Sequence, residues 1–77
     1  MSSRKTLARN LRLLRVARGL SQEALADSAS IARSYVSALE RERYSASVDR
    51  LDTLAAELGV ETHILLMKDL PAEALKG

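Results

Sequence analysis

A group of arginine and serine side chains lies between residues 20 and 43 of this 77-residue chain. Arg33, Ser34, Ser37, Arg41 and Arg43 remain on the polar side of one predicted helix. An arginine can donate two hydrogen bonds to a guanine, a serine can bond to several base edges, and arginine or glutamine can hold a phosphate. The residue types in this segment therefore favour contact with a nucleic acid.

Other site chemistries lack the residues that they need. The chain has no cysteine and a single histidine, His63. A disulfide, a thiol nucleophile and a cysteine-based zinc site are therefore excluded, and His63 has no second histidine or cysteine with which to share a metal. Without a glycine-rich phosphate loop, and with too little chain to enclose a pocket, an enzyme is a poor hypothesis. We expect no cofactor and no metal.

The charge of the chain is unevenly distributed. Residues 1–50 contain ten basic and five acidic side chains, a net charge of +5, whereas residues 51–77 contain two basic and five acidic ones, a net charge of −3. Such asymmetry within one small domain indicates a side that faces a polyanion. A solvated basic surface without a partner is the alternative that charge alone leaves open.

The elements that position these residues are predicted to be helices. Leucine and alanine dominate a composition with two aromatic residues and one proline, which is typical of an all-helical protein. Hydrophobic periodicity predicts five helices, with Val48 and Leu51 on the buried face of the fourth. The five helices are expected at about residues 4–18, 22–28, 32–43, 48–58 and 62–68.

The ends of these helices carry residues suited to capping. Ser21, Ser47 and Thr62 are expected to cap the second, fourth and fifth helices, because their side chains can accept a hydrogen bond from a free backbone N–H. Gly19 and Gly59 are expected to end the first and fourth helices in the left-handed conformation. Pro71 stops the fifth helix or opens a last turn through Ala74.

The second and third helices have the lengths of a helix-turn-helix. In that arrangement two short helices are joined by a turn of three to four residues. The second helix of the pair enters the major groove of DNA while the first lies across the backbone. Residues 20–43 therefore predict a DNA-reading unit.

Three stretches of sequence make the likeness specific. Leu-Ser-Gln-Glu-Ala-Leu-Ala at 20–26 resembles the first helix of this motif in the Xre family, the phage Cro and cI repressor-like domains. Residues 31–41 resemble its recognition helix, and residues 48–66, with Ala-Ala-Glu-Leu-Gly-Val at 55–60, resemble its last two helices. The resemblance implies a compact five-helix lambda-repressor-like domain. Residues 1–77 would form one domain, with its core at about 4–67 and a short C-terminal tail at 68–77.

The resemblance also implies roles for individual side chains. One group matches positions that face the bases: Arg33, Ser34 and Ser37. A second group is assigned to the DNA backbone, although the tyrosine in it is also expected to pack: Gln22, Tyr35, Arg41 and Arg43. A further pair matches a partly buried ion pair between the first and third helices: Arg15 and Glu40.

Two positions depart from the family pattern. Ala32 lies where the family often has a capping serine, and Ser30 is an alternative cap. Glu42 lies where members often have glycine or asparagine. An acidic residue so close to the expected DNA edge argues against a simple transfer of the backbone contacts after Arg41.

The C-terminal part is more apolar than one short helix needs to cover its own domain. A chain of this size without a disulfide is expected to gain stability from a partner chain, so we expect a symmetric homodimer. The alternative is that all of these residues belong to the core. The predicted interface consists of Ile64, Leu65, Leu66, Met67 and Leu70.

These observations favour a transcription regulator that binds double-stranded DNA at a near-palindromic operator as a homodimer. Its size resembles stand-alone regulators such as the controller proteins of restriction–modification systems. The alternative is an antitoxin-like module whose C-terminal helices hold a partner protein. The chain has no apolar run of the ~20 residues that a membrane span needs and no secretory signal, so we expect a cytoplasmic location.

Overall fold

The computed structural model describes residues 2–76, which are helical and contain no β-strand. The all-α prediction is confirmed, but four α-helices are present instead of five. No helix among residues 2–76 is long and apolar enough to cross a membrane. The elements are α1 (Ser3–Ala17), α2 (Gln22–Ala29), α3 (Arg33–Glu40), α4 (Val48–Leu58) and two 3₁₀ helices (Thr62–Leu66 and Ala72–Leu75).

Three of the α-helices begin at a serine. The side-chain oxygens of Ser2, Ser21 and Ser47 accept hydrogen bonds from the backbone N–H three residues later, at 3.2, 2.9 and 3.1 Å. The predicted caps at Ser21 and Ser47 are therefore confirmed. Ala32, the N-cap residue of α3, offers no side-chain hydrogen bond. Ser30 does not replace it, because Ser30 ends α2 in the left-handed conformation.

Each of these four helices ends in the same hydrogen-bonded turn. A residue with positive φ donates to the carbonyl three residues back, and the next residue donates to the carbonyl five residues back, which is the Schellman motif. The residues with positive φ are Gly19 (+70°), Ser30 (+58°), Glu42 (+64°) and Gly59 (+72°). Gly19 and Gly59 match the predictions. Because Glu42 turns the chain, α3 ends at Glu40 and not at Arg43 as predicted.

The core is built from leucines of all four helices. The fully buried leucines are Leu11, Leu14, Leu25, Leu39, Leu54, Leu58 and Leu65. Val48, predicted to face this core, is 70% exposed. It is the first residue of α4, one turn before the buried Leu51, and so lies beyond the edge of the core.

The predicted fifth α-helix is a 3₁₀ helix, and a side chain of α1 bonds to the carbonyl groups at its end. Asn10 is completely buried, and its amide nitrogen donates to the carbonyls of Leu65 at 3.0 Å and Met67 at 2.8 Å. The last carbonyl groups of a helix have no partner within the helix, and Asn10 supplies one. Thr62 is not the cap either, since its hydroxyl donates to Asp52 Oδ1 at 2.6 Å.

The arginine that directly follows α1 holds the end of the described chain. The guanidinium of Arg18 donates to the carbonyl of Leu58 at 2.9 Å and to that of Ala74 at 2.7 Å. Residues beyond α4 are therefore tied to α1 by polar bonds as well as by apolar packing. This anchoring lets a small core hold segments that have little regular structure.

Candidate nucleic-acid interface

The outer face of α3 carries the side chains predicted to read bases. Val36 and Leu39 bury the opposite face in the core. Arg33, Ser34 and Ser37 fall within about 100° of one another around the helix axis, at 100° per residue. Arg33 and Ser34 are exposed, and Ser37 is half-buried. The structure thus places the three residues together on a surface that α2 leaves open.

A partly buried ion pair joins α3 to α1. Arg15 Nε lies 2.7 Å from Glu40 Oε2, and Arg15 Nη2 lies 3.0 Å from Oε1. The third guanidinium nitrogen donates to the carbonyl of Leu20 at 2.8 Å. The hydrogen bonds to Glu40 raise the pKa of Arg15 above its ordinary value, although burial acts in the opposite direction.

This ion pair compensates the negative charge that Glu40 brings to the helix carrying Arg33, Ser34 and Ser37. Glu40 is the one acidic residue of α3, and only 4% of its side chain is exposed. Its charge is compensated by Arg15 and turned away from the outer face. An unpaired carboxylate there would repel phosphate, so the pair allows an acidic residue to exist on a helix that faces a polyanion.

Gln22 shares the same carboxylate. It is the first residue of α2, and its amide nitrogen donates to Glu40 Oε1 at 3.2 Å. The ion pair therefore orients the glutamine that was assigned to the DNA backbone. The sequence spacing alone contains no signal for this link, because Gln22 and Glu40 are 18 residues apart.

A cluster of two tyrosines and an arginine stands behind the loop that follows α3. The guanidinium carbon of Arg50 lies 5.4 Å from the centre of the Tyr35 ring, a cation–π distance, and the Tyr44 ring lies 6.1 Å from Tyr35. Tyr35 is half-buried, as its packing role required, while Arg43 is exposed in the loop. Arg50 was missed by sequence reasoning, because an arginine in the first turn of α4 has no distinguishing pattern.

The arginines on and directly after α3 lack acidic partners. Among residues 2–76 the side-chain ion pairs within 4.0 Å are Arg15–Glu40 and the exposed Glu61–His63 pair. Arg33, Arg41 and Arg43 therefore have no carboxylate at that distance in the described structure. They are exposed cations on and directly after α3.

The apolar C-terminal residues do not form one surface. Leu65 is completely buried in the core of its own chain, so its assignment to a dimer interface is wrong. It lies where the first 3₁₀ helix packs against α1. Ile64 and Leu70 are partly buried against the core, Met67 is half-buried, and Leu66 is 44% exposed.

A family comparison agrees with this geometry. The helix-turn-helix family HTH_3 matches residues 11–65. A hypothetical transcription factor of Neisseria meningitidis serogroup B is 45% identical over 73 residues, which cover 95% of this chain and 67% of that protein. The immunity repressor protein of Bacillus phage phi105 is 33% identical over 61 residues, which cover 79% of this chain but only 42% of the repressor.

Solved structures share the fold as well. The crystal structure of the hypothetical transcription factor NHTF from Neisseria superposes with a TM-score of 0.84 and 43% identity, covering 96% of this chain and 83% of that one. The restriction-modification controller protein C.AhdI from Aeromonas hydrophila gives a TM-score of 0.80 and 37% identity, covering 84% of this chain and 98% of that one. With a match that spans more than half of its length and the geometry of α2 and α3, the chain belongs to the HTH_3 helix-turn-helix family.

Proposed function

We propose that this protein is a sequence-specific DNA-binding transcription regulator that places α3 in the major groove. The observation that carries the proposal is the outer face of α3, where Arg33, Ser34 and Ser37 lie together while Glu40 is neutralised by Arg15. The relatives described as a transcription factor and an immunity repressor support the same function. No reaction follows from this arrangement, and we expect no enzymatic activity.

In this proposal, different residues contact the bases and the DNA backbone. Arg33 is at the N-terminal end of α3, the part of a recognition helix that contacts base edges. Arg41 and Arg43 follow the C-terminal end of α3 and have no acidic partner in the described structure, so they bind phosphates. Gln22 and the hydroxyl of Tyr35 contact the backbone from either side of the helix.

The active species is proposed to be a homodimer on a near-palindromic operator. Leu66 supplies exposed apolar surface, and Ile64, Met67 and Leu70 each keep part of their side chains exposed. A two-fold axis through this surface would set two copies of α3 about one DNA turn apart, roughly 34 Å. The likeness to C.AhdI supports a controller protein of a restriction–modification system as the narrower assignment.

The division of roles is tested by binding measurements on Arg33→Ala and Arg43→Ala. An operator duplex and a scrambled duplex are titrated with each variant at several salt concentrations. Arg33→Ala should lower the preference for the operator by about 1–3 kcal/mol. Arg43→Ala should weaken both complexes equally and reduce the log–log salt slope by about 0.9. If the two variants behave alike, the division is wrong.

The oligomeric state is tested by light scattering of the protein purified alone. A dimer supports the regulator that reads a palindrome. A monomer that forms a complex only with a second protein would favour the alternative, an antitoxin-like module in which the exposed Leu66 contacts a different partner.

The binding measurements on Arg33→Ala and Arg43→Ala have a matched control. Lys68→Ala, in the acidic part of the chain, also removes one positive charge.

A further inference from the structure

A basic cleft separates α1 from the C-terminal end of α3. Its volume is about 340 Å³. Three cations of α1 line it at positions i, i+4 and i+7, which is one stripe of a helix: Lys5, Arg9 and Arg12. The opposite wall is formed by Gln22, Glu40, Arg41 and Glu42. The cleft is therefore a concave surface, and every charged side chain on its α1 wall is a cation.

The charges in this α1–α3 cleft are poorly compensated. Lys5 and Arg12 have no carboxylate within 4.0 Å among residues 2–76. Glu40 lines the cleft but is occupied by its ion pair with Arg15. Glu42 is then the remaining acidic group that faces these cations. The cleft has an excess of positive charge and should attract an anion.

The central cation of the stripe, Arg9, is held in position by the C-terminal segment. Arg9 donates to the side-chain oxygen of Asn10 and to the carbonyls of Met67 and Lys68. A fixed Arg9 leaves Lys5 and Arg12, one turn to either side, as the side chains available to a ligand. Their spacing suits two donors to one phosphate group or to adjacent ones.

The position of the cleft indicates which anion it takes. Gln22 and Arg41, which line it, are the residues proposed to hold the DNA backbone beside α3. The stripe of α1 continues that path away from the bases. Because Gln22 and Arg41 belong to its lining, the cleft adjoins the proposed backbone contacts.

We propose that the α1–α3 cleft holds a phosphate of the DNA backbone next to the one bound by Gln22, and that Lys5 and Arg12 donate to it. Glu42 opposes this contact by like-charge repulsion. The inference rests on the proposed DNA-binding function and assigns three residues to it. It explains how a small reading helix gains affinity from phosphates that carry no sequence information.

The test is an ethylation-interference footprint on an operator selected from random duplexes. The double variant Lys5→Ala/Arg12→Ala should lose interference at one phosphate in each half-site that the wild-type protein requires. Its affinity should fall about three- to tenfold, and its salt slope should decrease by about 0.9 for each phosphate lost. Glu42→Gln should show the opposite effect, a rise in affinity of about two- to threefold.

Two controls separate the possible outcomes. Lys76→Ala removes one positive charge from a residue that does not line the cleft and bonds to Arg18 outside it, so it should keep the wild-type footprint. Circular dichroism checks that every variant folds. A double variant with an unchanged footprint and salt slope would overturn the inference. So would a double variant that loses only the binding of free inorganic phosphate, because the cleft would then serve a small phosphorylated ligand. If the wild-type protein retains no duplex at all, the proposed function itself fails.

Discussion

Glu42 occupies a backbone conformation that glycine adopts more easily. Its φ of +64° places it in the left-handed region, where the Cβ of an L-residue crowds the following carbonyl. Gly19 and Gly59 fill the same position after α1 and α4. Glu42 therefore keeps a strained turn at the end of the recognition helix, and we expect Glu42→Gly to stabilise the protein.

The size of the effect follows from two opposing contributions. Relief of the left-handed conformation is worth about 1–2 kcal/mol. The greater freedom of glycine in the unfolded chain costs about 0.4–1 kcal/mol. The net gain in the free energy of unfolding is about 0.5–1 kcal/mol. In a domain of this size it corresponds to a rise in Tm of about 2–8 °C.

Thermal and urea unfolding of Glu42→Gly, Glu42→Ala and the wild type measure this gain. Glu42→Ala is the matched control, because it removes the same charge near the helix C-terminus but keeps a Cβ at positive φ. Glycine should exceed alanine by about 0.5–1 kcal/mol. If alanine gives the same stability as glycine, charge and not backbone strain is the cause, and the reasoning is refuted.

Three further variants test how α1 organises the rest of the chain. Glu40→Gln leaves the partly buried Arg15 without its counter-ion and should lower the free energy of unfolding by about 1–3 kcal/mol; a loss below about 1 kcal/mol in urea unfolding would show that the pair is dispensable. Asn10→Leu removes two donors to carbonyls and should cost about 2–3 kcal/mol, with amide exchange accelerated mainly in residues 62–67; uniform acceleration along the chain would contradict the pinning role. Leu66→Glu should convert the proposed dimer to a monomer in sedimentation experiments without unfolding it, because this side chain is already 44% exposed; an intact dimer would place the interface elsewhere.

Much of the helical framework was predictable because its signals are local. Ser21 and Ser47 cap through a bond to an N–H three residues away, and Gly19 and Gly59 adopt a conformation that suits glycine. Such interactions depend on neighbours in the sequence. For the same reason the boundaries of α2 and α4 were close to their predicted positions.

The sequence-based predictions were wrong where contacts join residues distant in the chain, or where a residue adopts a backbone conformation that its type disfavours. Asn10 bonds to carbonyls more than 50 residues away, at the end of the segment that was expected to be a fifth α-helix and is a 3₁₀ helix. α3 ends earlier than predicted because Glu42 has a positive φ, which glutamate does not favour. Leu65 could not be separated from Leu66 as core or surface without knowledge of that 3₁₀ geometry.

In the candidate site, too, features set by neighbours in the sequence were predictable and features set by distant contacts were not. The periodicity of α3 was enough to group Arg33, Ser34 and Ser37 on one face, since its two turns are regular. The α1–α3 cleft was not foreseen, because its walls come from helices that meet only in the folded chain. Arg50 was missed for a similar reason, as its partner Tyr35 lies on a different helix.

The central claim is that α3 reads a specific DNA sequence as part of a two-fold dimer. Selection of bound duplexes from a random pool, followed by sequencing, tests it directly. We predict enrichment of a near-palindrome whose half-sites are centred about one helical turn apart, roughly 10 base pairs, and loss of that enrichment in Arg33→Ala. A pool that remains random after repeated selection with the wild-type protein would contradict the claim.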